Sequence, residues 1–243
     1  MATSSPTLAS EESGKPSPHP QTDIDPLTHL STLLNSRHST RAFLPTPVPL
    51  TAIHNALSLA QTAPSNSNIQ NWRLYLLSGH SLSKLTTALS SAAREGAPVS
   101  SHLPSEFAHF RSELGQKVYS EGYGVSRSDP AARIAKSRRN YTFFDAPLGG
   151  VICMDKELAS YDAVSVGMWL QSFLLALTAQ GLGSCVMVST KGYEEVVKKT
   201  VGIPDGLEVL SGLAIGYEDT SERVNSIRSG RADWRDAVVE MSD

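Results

Sequence analysis

The chain has 243 residues, of which 40% are hydrophobic and 19% are charged. Its 21 Lys and Arg residues are outnumbered by 24 Asp and Glu residues, so no basic excess is available to neutralise a nucleic-acid backbone. A chain of this length fits one large domain. We therefore expect a single globular domain that binds no nucleic acid.

The cysteine and histidine residues argue against several classes of site. Cys153 and Cys185 are too few for a disulfide framework and form no CxxC pair, which favours a reducing compartment. All seven histidines lie in the first 109 residues without an HExxH motif, so no metal site is predicted. A serine hydrolase is also unsupported, because there is no GxSxG motif and no histidine late in the chain.

Residues 1–22 are predicted to form a disordered tail. Thirteen of them are Ser, Thr, Pro or Gly and none is Ile, Val or aromatic, so they cannot bury enough apolar surface to become ordered. They contain no apolar core of a secretory signal, and the lack of Arg argues against a mitochondrial transit peptide. We expect a cytoplasmic protein whose folded domain spans residues 23–243.

Helical and strand-like patterns alternate after this tail. Asp25 followed by Pro26 is typical of a helix start. Residues 97–145 are richer in charged and aromatic side chains, and we expect them to form an inserted helical cover. The predicted elements up to residue 154 are a helix from Asp25, a helix over Pro49–Ala60, a strand over Arg73–Leu77, a helix over Leu82–Arg94, helices around Glu106–Tyr119 and Pro130–Tyr141, and a strand over Pro147–Met154.

A run of 28 residues from Ala163 to Thr190 carries no charge. A helix over Tyr161–Gln180, apolar nearly all round, suits the centre of a protein or a subunit interface. A membrane span is disfavoured because polar residues and glycines interrupt the run and no Lys/Arg flank marks a cytoplasmic side. Strands over Ser184–Ser189 and Val209–Tyr217 bracket a further helix over Tyr193–Val201. Alternation without a strict βαβ rhythm predicts an α+β fold.

Arginine clusters occur at both ends of the domain. In the segment Arg37-His38-Ser39-Thr40-Arg41, two guanidinium groups four positions apart can bind an anion bidentately, and Ser39 adds a donor. Arginine at a helix end also commonly faces the helix dipole or solvent. The tail holds Arg223, Arg228, Arg231 and Arg235 with no lysine after position 199, which indicates fixed phosphate or carboxylate partners.

Two further motifs suggest contact with a ligand. In Ala63–Trp72, the alternating residues Asn66, Asn68 and Gln70 offer both donors and acceptors, which suits the edge of a heterocycle such as a flavin pyrimidine. An ordinary turn rich in Ser and Asn has the same composition. The Gly-Leu-Gly of Gly181–Cys185 allows the backbone to approach a ligand closely, or simply ends a helix.

In this order, the motifs resemble the nitroreductase family of flavin enzymes over about residues 25–239. The resemblance is carried by RHSTRAF, PVP, APSNSNIQNW, VGIPDG, AIGYED and NSIRSGR. The chain departs from the family at Asn71, where proline is usual, and in its long cover over 97–145. That cover is similar to the branch that includes nitrobenzoate reductases.

The resemblance implies a nitroreductase-like fold, with a central antiparallel or mixed sheet flanked by helices. FMN would lie at the interface of a two-fold homodimer, with the long apolar helix at its centre. Arg41 would lie near the N1 and C2 carbonyl edge of the flavin, where reduction places negative charge. The implied cofactor-binding residues are Arg37, His38, Ser39, Arg41, Asn68, Gly183, Ser184, Arg228 and Arg231, with Pro64, Ser65 and Asn66 supplied by the partner chain.

The implied activity is a ping-pong reaction. NAD(P)H would transfer a hydride to flavin N5, and a nitroaromatic, quinone or activated alkene would then take the electrons. No catalytic side chain is expected, because the flavin carries the chemistry. Alternatives are a flavin-dependent dehydrogenase or oxidase of a biosynthetic intermediate, a non-catalytic flavin-binding protein, and a domain without cofactor. Tyr119 and Tyr123 are candidate substrate contacts, whereas Phe143 and Phe144 are expected to pack in the core.

Overall fold

The computed structural model describes residues 25–96 and 103–242. The predicted tail over 1–22 and the start of the cover at 97–102 lie outside the described residues. The described chain contains the helices α1 (Pro26–Ser36), α2 (Leu50–Ala60), α3 (Gly79–Glu95), α4 (Ala108–Gly115), α5 (Pro130–Ser137), α6 (Ala163–Ala179) and α7 (Glu194–Val201), and the strands β1 (Arg73–Ser78), β2 (Leu148–Asp155), β3 (Gly183–Met187) and β4 (Leu207–Gly216).

The four strands form one antiparallel sheet in the order β1-β2-β4-β3. Strand β2 is central, and helices cover both of its faces. Val151 and Cys153 pack in one cluster with α3 and α7, whereas Ile152 and Met154 pack in the other with α2 and α6. This alternation explains why β2 is a nearly continuous apolar run in the sequence. The predicted α+β class and its antiparallel sheet are confirmed.

Helix α6 packs its buried face on the sheet through Trp169, Phe173 and Leu177. The helix begins at Ala163, later than predicted, because residues Ser160–Asp162 form a 3₁₀ turn. On its other face, Val164 and Met168 remain 62% and 38% exposed. The stretch Ser160–Ala179 is long and apolar enough to cross a membrane, a test that the core helix of a soluble protein also passes.

The cover departs from the two continuous helices that the sequence predicts. Helix α4 ends at Gly115 and continues as a π-helical turn over Gln116–Gly122. This wider turn brings Gly122 against the tail, where an added Cβ would lie 3.1 Å from the Cα of Val224. The change from α-helix to π-helix therefore coincides with close packing of the backbone against the tail. The hydrophobic periodicity of the sequence alone does not reveal this change.

The second predicted helix of the cover, over Pro130–Tyr141, ends at Ser137. A 3₁₀ segment, Arg138–Asp145, follows it, and Phe143 and Phe144 adopt left-handed φ angles of 54° and 53°. Such angles are costly for residues with side chains. Both rings are buried, at 0% and 2% exposure, so apolar burial offsets that cost. The expectation that these two residues pack is confirmed.

Two lysine–glutamate contacts connect α7 to β4. Lys191 Nζ lies 3.1 Å from Glu194 Oε2 and 2.8 Å from Glu208 Oε2. Burial acts to raise the pKa of Glu194, but the Val209 N–H and the Lys191 ammonium outweigh it and lower that pKa below its usual 4.5. The Glu194 carboxylate therefore stabilises the fold at pH values above its usual pKa of 4.5, and this contribution is lost as the carboxylate is protonated in acid.

We accordingly expect Glu194→Gln to lower the free energy of unfolding at pH 7 by up to about 1 kcal/mol, as is usual for partly exposed pairs. The difference from the original protein should shrink as the pH falls below about 4.5, the usual pKa of the group. Urea unfolding at pH 7, 5 and 3.5 measures this. A difference that stays constant with pH would contradict the proposed charge interaction.

Candidate functional site

A cavity of about 350 Å³ lies between the end of α1, the end of α4 and the C-terminal tail. Its lining includes four arginines from two distant parts of the chain, together with Ser39: Arg37, Arg41, Arg228 and Arg231. No acidic side chain is among the described residues that line it. The cavity therefore presents several cationic donors that have no carboxylate partner there.

The segment that carries Arg37 and Arg41 is held along the edge of the sheet. Arg37 ends α1 in an extended conformation, and its N–H donates to the Leu33 carbonyl. Beyond it, Ser39 forms a bridge with Ser184, and the Thr40 N–H donates to the Ser184 carbonyl at 3.0 Å. The start of β3 thus holds the backbone of the arginine segment in place.

Asn225 connects this segment to the tail. Its Oδ1 accepts from the Arg41 N–H at 2.7 Å, and its Nδ2 donates to the carbonyls of Ala42 and Asp219 at 2.8 and 2.9 Å. Asn225 is 2% exposed, so these three hydrogen bonds satisfy its side-chain amide in the interior of the protein. Sequence reasoning missed this residue, although it opens the NSIRSGR motif.

We expect Asn225→Ala to destabilise the fold by about 1–3 kcal/mol, because the Arg41 N–H loses its acceptor and the carbonyls of Ala42 and Asp219 each lose one of two donors. It should also weaken FMN retention if the arginine segment binds that cofactor. Thermal unfolding and flavin content after dialysis measure the two effects. Ser226→Ala, next in the chain and exposed, is the matched control. Unchanged unfolding in Asn225→Ala would show that the tail is anchored by other contacts.

The guanidinium groups are fixed by backbone carbonyls yet keep free donors. Arg228 donates through Nη1 to the carbonyl of Asn225 at 2.7 Å, and Arg231 donates through Nη1 to that of Gly230 at 2.9 Å. Arg41 donates through Nη1 to the Ser39 carbonyl at 3.1 Å. A guanidinium has five N–H donors, so each retains others that can face the cavity.

Arg37 is affected by the concentration of positive charge. Burial lowers its pKa, and the nearby Arg231 lowers it further. Two cations held close together without an anion repel each other, and a bound phosphate would relieve this repulsion. His38 also lines the cavity, but its ring nitrogens contact the Ser36 carbonyl at 2.9 Å and Glu218 Oε1 at 3.0 Å.

Gly183 and Ser184 line a smaller neighbouring cavity of about 180 Å³, beside Thr40 and Thr178. An added Cβ at Gly183 would lie only 2.6 Å from Thr40 Oγ1, so glycine is needed for the close approach of the two segments. Gly183 and Ser184 therefore pack against the backbone of the segment that carries Arg37 and Arg41. Thr178 belongs to the last turn of α6, so this part of the site lies at the C-terminal end of that helix.

The polar loop 63–72 lies at the opposite end of α6. The Asn66 N–H donates to Ser165 Oγ at 3.1 Å, and Asn66 Nδ2 donates to Asp162 Oδ1 at 3.2 Å. Helix α6 has 17 residues and is therefore about 25 Å long. A single chain consequently does not bring four of the predicted cofactor contacts beside the arginine cavity: Pro64, Ser65, Asn66 and Asn68.

Tyr119 and Tyr123 lie inside the cover, with ring centroids 6.3 Å apart. Neither lines the arginine cavity among the described residues. The Tyr123 hydroxyl is buried without a hydrogen-bond partner in the described chain, and burial raises its pKa. Its ring lies beneath Lys136 Nζ at 5.2 Å and the Arg139 guanidinium at 5.7 Å.

The cysteines do not present a nucleophile or a metal ligand set. Both are buried, and burial raises the pKa of Cys153 to about 12 and that of Cys185 above its usual value. Thiolates are therefore disfavoured at neutral pH. Within residues 25–96 and 103–242, no cluster of three or more His, Cys, Asp or Glu side chains could hold a metal ion.

A sequence model described as the nitroreductase family matches residues 34–217. The chain belongs to the nitroreductase family. The 4-nitrobenzoate reductase of Pseudomonas putida is 34% identical over 200 residues, covering 81% of this chain and 88% of that protein. The chloronitrobenzene nitroreductase of Comamonas testosteroni is 33% identical over 214 residues, covering 83% of this chain and 92% of that protein.

Solved structures of nitroreductases share the fold. The FMN-dependent nitroreductase NfnB from Mycobacterium smegmatis, in complex with NADPH, matches with a TM-score of 0.83 at 25% identity, over 90% of this chain and 100% of that one. The family and the nitroreductase-like fold that the sequence predicts are therefore confirmed.

Proposed function

We propose that the protein is an FMN-dependent oxidoreductase that uses NAD(P)H to reduce nitroaromatic compounds. The observation that carries this proposal is the arginine cavity, whose donors and lack of carboxylates suit the phosphate of FMN. Family membership supports the same activity, since nitroreductases acting on nitrobenzoate and chloronitrobenzene are similar over most of the chain. Two unpaired buried cysteines suit a cytoplasmic location.

In this proposal Arg37, Ser39, Arg228 and Arg231 hold the phosphate and ribityl chain. Arg41 lies near the pyrimidine edge of the flavin and stabilises negative charge that develops there on reduction. When bound by these residues, FMN would supply the hydride-transfer chemistry that connects NAD(P)H to the acceptor. The chain's own residues bind and orient the flavin and supply positive charge beside it, and the required protons come from solvent.

We also propose that the active site is completed by a second copy of the chain. In an antiparallel pair of α6 helices, the N-terminal end of one helix lies beside the C-terminal end of the other. The loop with Asn66 and Asn68 would then reach the partner's arginine cavity, which it does not reach in its own chain. The exposed apolar side chains of α6 and α1, including Val164, Met168 and Leu27, support this arrangement.

Sedimentation equilibrium should therefore give a dimer that carries FMN. Met168→Glu is expected to weaken dimerisation at least tenfold, because it places a charge on the exposed apolar face of α6. Ile134→Glu, on the outer surface of α5, is the control and should remain dimeric. A stable monomer that retains FMN would contradict the shared site.

The absorption spectrum of the purified protein tests the function directly. We expect a flavin spectrum that NADPH or NADH bleaches anaerobically and that a nitroaromatic acceptor restores. Bleaching by a biosynthetic intermediate followed by reoxidation with oxygen would favour the dehydrogenase or oxidase alternative. A flavin that neither dinucleotide reduces would favour a binding protein without turnover.

A further inference from the structure

A further polar cavity, of about 380 Å³, lies inside the cover and shares no lining residue with the arginine cavity described above. It is formed by α4, the π-helical turn, the loop that follows and α5. Three arginines line it, together with polar or small residues: Arg111, Arg127 and Arg133 with Ser112, Gly115, Gln116 and Ser120. We refer to it as the cover pocket.

The cover pocket has positive charge that nothing in the described chain neutralises. No carboxylate lines it, and no ion pair among residues 25–96 and 103–242 involves any of its arginines. Arg127 Nη2 makes only a 3.5 Å contact with Ser112 Oγ. Arg133 Nη1 is buried and has no hydrogen-bond partner in the part of the chain that the structure describes. A buried guanidinium donor without a partner is costly and calls for an acceptor.

The local structure builds the pocket from residues on one helical face. Ser112, Gln116 and Ser120 follow one another at intervals of four along α4 and the π-helical turn, so their side chains share that face. Gly115 lies beside Arg133, since an added Cβ would be 3.4 Å from Arg133 Nη2, an ordinary van der Waals contact. The Arg133 guanidinium lies over the Tyr119 ring at 4.7 Å, which fixes its plane.

We propose that the cover pocket binds an oxyanion of the phosphate class. Planar guanidinium groups bind phosphate bidentately, and the serine hydroxyls and the glutamine amide supply further donors. The ligand has two chemically equivalent sources, the 2′-phosphate of NADPH or a separate phosphate ion. The first source rests on the proposed function and would make the pocket a determinant of preference for NADPH over NADH.

Calorimetric titration of the FMN-loaded protein with inorganic phosphate, and then with adenosine 2′,5′-bisphosphate, tests the site. In the proposed function FMN occupies the other arginine cavity, so the loaded protein leaves the cover pocket for the added phosphate. We expect R111Q/R127Q to weaken phosphate binding at least tenfold, because both side chains are exposed and their loss should not disturb the fold. K84Q/R94Q removes the same charge from the exposed surface of α3 and is the matched control.

Arg133 provides an independent comparison. R133K keeps the charge and should retain more phosphate affinity than R133Q. A purely structural role in stacking on Tyr119 predicts instead that R133Q lowers the thermal stability and leaves the phosphate affinity unchanged. Equal phosphate binding by R111Q/R127Q and the control, or no measurable binding by the original protein, would overturn the proposal.

The two sources are separated by steady-state kinetics. If the 2′-phosphate occupies the pocket, R111Q/R127Q should raise the KM for NADPH and leave the KM for NADH unchanged. If phosphate binding is lost while both KM values are unchanged, the pocket holds a separate anion. Failure of both dinucleotides to reduce the flavin would refute the proposed function, but the phosphate titration would still decide whether the cover pocket binds an oxyanion.

Discussion

Replacing Arg228 and Arg231 together with alanine is expected to remove FMN from the protein during dialysis. Both residues line the arginine cavity, where no acidic side chain of the described chain competes for them. Hydrogen bonds to charged groups contribute about 1.5–3 kcal/mol each, and about 1.4 kcal/mol corresponds to tenfold in affinity. Loss of two such bonds should therefore weaken FMN binding about 100-fold or more.

Riboflavin provides the discriminating measurement, because it lacks the phosphate. The original protein should bind FMN much more tightly than riboflavin, whereas R228A/R231A should bind the two about equally. R223A/R235A removes two other arginines of the same tail, of which Arg235 contacts Asp233 at the exposed surface, and should keep the preference for FMN. A double mutant R228A/R231A that retained the full preference would show that the phosphate is bound elsewhere.

Arg41→Ala is expected to slow flavin reduction by NAD(P)H about 100-fold, which is typical when one group that stabilises developing negative charge is removed. The same change should weaken FMN binding by less than tenfold, because the proposed charge develops only on reduction. The flavin reduction potential should fall in parallel. Stopped-flow absorbance under anaerobic conditions and a potentiometric titration measure the two quantities.

Arg41→Lys is the informative control for this effect. Lysine keeps the positive charge and should recover part of the rate of flavin reduction and most of the lost reduction potential, although it lacks the planar, forked guanidinium group. If Arg41→Ala reduced the flavin at the original rate, Arg41 would have a structural role only, through its 3.1 Å bond to the Ser39 carbonyl.

Local patterns were sufficient to predict much of the fold. Apolar runs predicted β2 and β4, because burial on both sides excludes charge from such strands. The uncharged stretch predicted α6, although one face of this helix is exposed in the single chain. The π-helical turn beside Gly122 and the left-handed backbone at Phe143 could not be predicted in this way. Both depend on packing against residues that are distant in sequence, so no local period encodes them.

The candidate site, like the fold, could be predicted only in part from local sequence patterns. Residue type and spacing identified Arg37, Arg41 and the tail arginines, but not the buried side chain that joins them. Asn225 bonds to a backbone group 184 positions earlier in the chain, and only the folded structure brings these groups together. Likewise, the motif containing Asn66 is close to Arg41 in sequence, yet α6 separates the two in space.

The arginine cavity and the loop with Asn66 lie at opposite ends of α6, and this separation links cofactor retention to protein concentration. If each flavin contacts both chains, subunit association and FMN binding stabilise each other, because a ligand that favours the dimer shifts the equilibrium toward it. Dilution would then release cofactor and separate subunits together. A cell that makes little of this protein would hold it partly as colourless, inactive chains, and additional FMN would restore activity by reassembling them.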